Sequence, residues 1–244
     1  MASAQRRVGS RFRIPPFELR WDSVREPLPV RIVPARGRLL EAPPWIDSGM
    51  PGEPMHFSES MKRLCADIAR NHPLFSHIDV SRMLFTIAPS KNSRLHGLQA
   101  KATPLRFQNG EQTRLHRGIP FQVQQYFLDD HEIYYIISFM LPRFLNRDFE
   151  DKFVTIFHEL FHISPRFDGD LRRHAGRYSV HTASQKRYDQ EMALMAHEYL
   201  QSRPDPSLYG FLKLNFAQML HRHGRVIGHV VPRPKLIPIR LRFH

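Results

Sequence analysis

The chain contains one cysteine, Cys65, so no internal disulfide can form and no thiolate zinc cluster can assemble. It also lacks a long apolar run. The most hydrophobic stretch, residues 133–141, is far too short to span a bilayer as a helix. The basic opening residues have the charge of a signal peptide's start, but no apolar segment follows them. These absences predict a soluble, cytoplasmic protein with no membrane contact. Internal repeats and low-complexity blocks are missing too. Acidic residues are outnumbered, with 23 Asp and Glu against 36 Lys and Arg, for a net charge of +13. Such an excess favours non-specific contact with nucleic acid through the basic ends, or reflects a GC-rich genome that places arginine wherever a base is tolerated.

Proline and histidine are what the chain does have. Twenty prolines against twelve glycines cluster towards the two ends, which predicts extended ends around a packed centre. The division that follows is an extended basic, Pro-rich arm over 1–55, a domain over 56–223, and a basic C-terminal strand segment over 224–244. The arm has room for a short strand at 30–33. A helix is expected from Ser58 or Ser60 to about Asn71, burying Met61, Leu64, Cys65 and Ile68. Strands are expected at 83–87, weakly at 98–107, and at 121–127 and 131–140, the last two pairing as a hairpin across Asp129 and Asp130. Three or four strands would then form one sheet with one face on helices. Further helices are expected at 149–163, capped by Asn146 or Asp148, at 184–201, and between 206 and 223. A strand pair, 226–231 with 236–241, closes the chain. The fold class is α+β, in the order that a zincin-like core requires.

The chemistry sits in His158-Glu159-Leu160-Phe161-His162. Histidines at i and i+4 lie one above the other on a helix, so both imidazoles reach one metal. Glu159 sits at the edge of that face, where it can act as general base towards a zinc-activated water instead of ligating. In a chain with fifteen histidines the pattern arises by chance only about 0.04 times. The helix is written for two environments: Phe149, Phe153, Ile156 and Leu160 make an apolar stripe, expected against the sheet, and the histidines point away from it. The bland alternative, a solvated polar face, fits poorly beside Phe157 and Phe161. A catalytic zinc needs a third protein ligand. On spacing alone His174 and His181 are equally placed, with Asp168, Asp170, Glu191 and Glu198 as weaker choices. Arg172, Arg173 and Arg177 either bind a substrate anion or pin the loop through Asp168, Asp170 or Asp189; a loop that must place a ligand favours pinning. Tyr178 and Tyr188 are candidate oxyanion or substrate contacts, a packing role being the commoner one for such rings.

After the helix come Pro165, Gly169-Asp170-Leu171-Arg172-Arg173, Gly176-Arg177, His181, Ser184 and Tyr188-Asp189. With the His-Glu-Leu-x-His-Ile helix before it, this run resembles the phage-type metallopeptidases over about residues 150–200. More loosely, the chain is similar to SprT-like metalloproteases, which act on DNA-bound proteins. The resemblance implies a zincin-like fold, one zinc ion per chain, a protein or peptide substrate, and His181 over His174 as third ligand. The charge of Arg172 and Arg173 beside His174 points the same way. It implies a zinc metallopeptidase chemistry without naming a substrate. Against this stands a basic nucleic-acid-associated protein that uses the same fold.

Overall fold

The computed structural model describes residues 15–35, 37–90, 96–173 and 185–239, the side chains of 185–187 excepted. Twelve strands and five α-helices lie among them. In chain order they are β1 (Glu18–Trp21), β2 (Val30–Ile32), β3 (Met55–His56), α1 (Phe57–Asn71), β4 (Met83–Pro89), β5 (Ala100–Pro104), β6 (Thr113–His116), β7 (Ile119–Val123), β8 (Gln125–Leu128), β9 (His131–Ile133) and β10 (Tyr135–Leu141). Then follow α2 (Phe149–Phe161), α3 (Gln185–Gln201), α4 (Pro206–Tyr209), α5 (Phe216–His223), β11 (Val226–His229) and β12 (Leu236–Pro238). The protein is α+β, and no described helix is long and apolar enough to cross a membrane.

Instead of one sheet, the described strands form four small ones, ordered β1-β8-β9, β4-β10-β5, β2-β11-β3 and β12-β7-β6. The expected strand 121–127 is divided at Gln124, whose backbone N–H donates to Lys235 and whose side chain donates to Pro16. The expected strand 131–140 is divided at Tyr134, whose N–H donates to Arg82. The hairpin therefore survives only as β8 with β9, while β10 turns to pair in parallel with β4 and antiparallel with β5. The two C-terminal strands do not pair with each other: β11 lies between β2 and β3, and β12 runs beside β7. Residues 15–55 are drawn in by the same pairings, since β1 runs parallel to β8 and β2 antiparallel to β11.

The β4-β10-β5 sheet carries the core. Met83, Phe85 and Ile87 alternate with Leu84 and Thr86, so one face meets the helices and the other turns away. On the helix side they join Tyr135, Ile137, Phe139 and Ala100 with Met61, Leu64, Cys65 and Ile68 of α1 and Phe153, Ile156, Phe157 and Leu160 of α2. Each of the Leu, Ile, Met and Phe side chains among them contributes about 1.5–3 kcal/mol when fully buried. The far face holds a smaller cluster in which Leu84, Ile136 and Leu105 meet Val123, Tyr126 and Ile133.

Candidate functional site

α2 begins at Asp148, whose extended backbone starts the helix without a side-chain cap, and Glu150 and Asp151 in the first turn suit the positive end of its dipole. Asn146, the other expected cap, instead accepts from the N–H of Phe216 and serves the start of α5. The apolar stripe is broader than the sequence pattern indicated. Phe149 and Phe153 pack on Tyr209, Phe153 and Phe157 on Tyr199, and Phe157 also meets Phe75, so helices and turns share the stripe with the sheet. Lys152, in the middle of this surface, is buried. Its ammonium donates to the Leu212 and Leu214 carbonyls at 2.8 and 2.9 Å, tying α2 to the chain before α5.

His158 and His162 emerge on one side of α2. Their Nε2 atoms lie 2.9 Å apart and their rings stand nearly perpendicular, 4.6 Å between centroids. Two nitrogens bound to one tetrahedral zinc at 2.0–2.1 Å stand about 3.3 Å apart, so a small rotation of either ring gives the spacing of a ligand pair. Tyr188, on the first turns of α3, is 1 % exposed and closes the pair from above, its ring 4.9 Å from that of His158 and stacked at 6.4 Å on His162. Burial, and then the neighbouring Glu159 carboxylate, push the Tyr188 phenol well above its ordinary pKa, so it keeps its proton and remains a donor.

Glu159 is buried. Its carboxylate accepts from the backbone N–H of Ala102 on β5 at 2.6 Å. Burial raises its pKa to about 7, with the Ala102 N–H and the Lys101 ammonium acting in the opposite sense. The origin of that contact lies in the register of β5. Bonds from Met140 to Gln99 and from Leu105 to Tyr134 show that odd-numbered residues turn their backbone groups towards β10. Ala100 and Ala102 therefore present theirs to the outer edge, and their small side chains let α2 approach. This anchor was missed in the sequence, where only the strand itself was legible; the alternating alanines were its signal. Beside this edge opens a cleft of about 1070 Å³ lined by Leu98, Ala100, Glu150, Thr155, His158, Glu159 and Asp189.

The chain leaving α2 is fixed by its own motif. Arg172 donates from its backbone to the His162 carbonyl at 2.7 Å and from Nε to the Phe161 carbonyl at 2.8 Å, and its guanidinium stacks 4.1 Å over the Phe161 ring. A cation thus satisfies carbonyls at the negative end of the helix. Arg173 donates to both oxygens of Asp170, which also accepts from the N–H groups of Asn109 and Leu171. Tyr135 donates to the Asp170 carbonyl and accepts from the N–H of Gly169. Gly169 has φ +84°, and a Cβ there would fall 2.4 Å from Cγ of Arg106, so no other residue fits this turn without displacement. Arg173 thus pins the loop through Asp170, one of the expected partners, whereas Arg172 holds it through helix carbonyls and not through an aspartate.

His174, Tyr178 and His181 lie outside the described residues, as does Arg177. Among the described residues no group of three His, Cys, Asp or Glu side chains is poised around one point. Asp170 is consumed by Arg173 and the backbone, and Glu198 turns towards His72, 3.8 Å away, so neither joins the histidine pair. Glu191 lies on α3, and Asp168 pairs with Arg166. Comparison with known proteins returned no match to any family model, curated protein or solved structure.

Proposed function

We propose that the protein is a zinc-dependent peptidase in which His158 and His162 hold the metal and Glu159 moves the proton. The observation that carries this reading is the pair of Nε2 atoms 2.9 Å apart at a cleft, next to a buried carboxylate whose pKa is near 7. Neutral imidazoles at this spacing fit zinc, and the third ligand is assigned to His181 by resemblance, with His174 as the alternative. A zinc ion held by these histidines would supply Lewis-acid activation of water and of a peptide carbonyl. Glu159 is suited to take a proton from water and pass it to a leaving amine, because a base with pKa near the working pH both accepts and releases readily. The Ala102 N–H holds that carboxylate in place. Tyr188 offers a protonated phenol to developing negative charge. The outer edge of β5 offers the backbone of Ala100 and the carbonyl of Ala102 for strand-like pairing with an extended peptide.

The test is metal content together with hydrolysis of an unfolded protein such as casein, compared among wild type, His158→Ala and Glu159→Gln. About one zinc per chain in wild type and Glu159→Gln, with loss in His158→Ala, is the expected pattern. Carefully prepared wild-type protein that binds no zinc would end the proposal.

A further inference from the structure

A second cavity, of about 600 Å³, lies on the far face of the β4-β10-β5 sheet, away from the helices. Half of that face is closed by Leu84, Ile136 and Leu105 under the smaller core cluster. The other half carries a polar row bordered by Ala88 and Met140. Thr86, Ser138 and Lys101 are direct cross-strand partners on β4, β10 and β5, and so form one row of two hydroxyls and an ammonium across the sheet. Thr86 is buried, and its Oγ1 lies 2.8 Å from Oγ of Ser138. Thr86 Oγ1 also donates to the Ile137 carbonyl at 3.5 Å, so the Ser138 proton turns either to Thr86 or to a ligand in the cavity. The segment from Val231 to Leu236 arches over this row and makes it a trough. That wall is fixed by Tyr126 donating to the Pro232 carbonyl, by Gln124 N–H donating to the Lys235 carbonyl, and by the pairing of β12 with β7. It carries Arg233 into the lining.

The charge of the trough has one sign. Lys101, Arg106 and Arg233 line it, and no aspartate or glutamate does. Arg106 is already paired with Glu132. Lys101 and Arg233 make no ion pair among the described residues. A solvated sheet face needs hydroxyls but not a fixed proline-braced wall that brings a guanidinium over them. We propose that this trough is a binding site for a phosphate-bearing ligand, with Lys101 and Arg233 supplying charge and Ser138 a hydroxyl donor. Charged and neutral donors of this kind, converging from two elements, match the several acceptor oxygens of a phosphate group. The volume suits a small phosphoester or a few nucleotides of a single strand. The site lies on the opposite face of the sheet from the histidine pair: on β5, Lys101 and Thr103 line it, while Ala100 and Ala102 address α2, although the Lys101 ammonium also acts at a distance on Glu159.

Two probes separate the sources of phosphate: inorganic pyrophosphate by calorimetry and a fluorescent oligo-dT by anisotropy, each on the full chain at low salt. Lys101→Ala with Arg233→Ala should weaken binding at least about tenfold. Ser138→Ala, which leaves net charge unchanged, should weaken it by about threefold or more. Arg114→Ala, on β6 outside the trough, should change it by less than about twofold. Lys101 and Arg233 are exposed, so thermal melting should report an intact fold in the double variant. Pyrophosphate binding that oligo-dT displaces assigns the site to a nucleic-acid strand, and pyrophosphate binding alone assigns it to a small phosphoester. The proposal is overturned if neither probe binds, or if the double variant binds as wild type does.

Discussion

Two sets of histidines in this protein are treated in opposite ways. His223, at the end of α5, is served on both sides of its ring: Nδ1 lies 3.0 Å from the Glu53 carbonyl and Nε2 3.2 Å from Oγ of Ser48. The carbonyl can only accept, so Nδ1 carries the proton and Nε2 accepts from serine. His72, at the end of α1, is packed against Phe75 and Phe157. Burial holds both rings below the usual histidine pKa. His158 and His162 instead turn their Nε2 atoms towards each other beside a cleft, with a carboxylate alongside. His223 has both nitrogens served by its own fold and is finished, while His72 makes no hydrogen bond among the described residues and is held by ring packing, its Nε2 3.8 Å from the Glu198 carboxylate. His158 and His162 instead spend their Nε2 atoms on each other at the edge of a cleft, and that arrangement marks them as candidate ligands here.

The largest effect should come from the site side of this comparison. Glu159→Gln keeps the shape and the capacity to accept from Ala102, but removes the base, so hydrolysis should fall by about 10²–10⁴ while zinc is retained. His158→Ala or His162→Ala should remove both zinc and activity. A Glu159→Gln enzyme with undiminished turnover would show that the carboxylate is an anchor for β5 and no base.

The next effect tests how α2 is seated. Lys152→Met leaves the Leu212 and Leu214 carbonyls without their donor and should cost about 3 kcal/mol of stability. Burial lowers the Lys152 pKa to about 8, with Asp148 opposing. The unfolded chain, near pKa 10.4, then holds more protons than the folded one between these values. Stability from this group is therefore gained as pH rises from about 8 towards 10 and is lost as pH falls back through 8. The difference between wild type and Lys152→Met in denaturant melts should carry that slope, since Cys65 and the buried tyrosines titrate in both proteins. A difference that is flat in pH removes the argument.

On the structural side, His223→Ala should cost about 2 kcal/mol and leave zinc content untouched, because it removes the donor to the Glu53 carbonyl and the acceptor of the Ser48 hydroxyl, which keeps only its bond from Arg222. The two buried rings also set a sign for pH. With folded pKa values below the unfolded 6.5, their contribution is complete above pH 6.5 and is lost as pH drops through the folded values. The difference in melting temperature between metal-free wild type and His223→Ala should shrink between pH 7 and 5, since Glu159, whose raised pKa acts in the opposite sense, titrates in both proteins. Loss of zinc from His223→Ala would break the division between the two sets.

Much of this division was legible in the sequence where the signal is local. The periodicity of α1 placed Met61, Leu64, Cys65 and Ile68 inside, and all four are fully buried. The i, i+4 histidines and α3 followed from spacing in the same way. Pairing at a distance was not legible. β1 meets β8 across more than a hundred residues, its side chains half exposed, so no alternation betrays a partner. Gln124 reads as one more residue of a strand until its bonds to Lys235 and Pro16 divide it. The Glu159 anchor depends on which edge of β5 faces α2, a matter of register that composition does not carry.

The smallest effect concerns the support of the histidine pair. Arg172 caps α2 through the Phe161 carbonyl and lies over the Phe161 ring, one residue before His162. A cation at a helix C-terminus contributes about 0.3–1 kcal/mol, and stacking on an aromatic face adds a similar amount. Arg172→Gln should therefore lower stability by about 1 kcal/mol, while Arg172→Lys, which keeps the charge but not the planar fork, should recover roughly half of it. The same substitution should weaken zinc binding, measured against a competing chelator, by up to about tenfold, because a ligand held by a frayed helix end loses its fixed direction. His223→Ala should show the reverse pattern, with a larger loss of stability and unchanged zinc affinity. If Arg172→Gln lowers stability but leaves zinc affinity at the wild-type value, the pair is positioned by α2 and Tyr188 alone, and the Gly169–Arg173 loop serves only to close the fold.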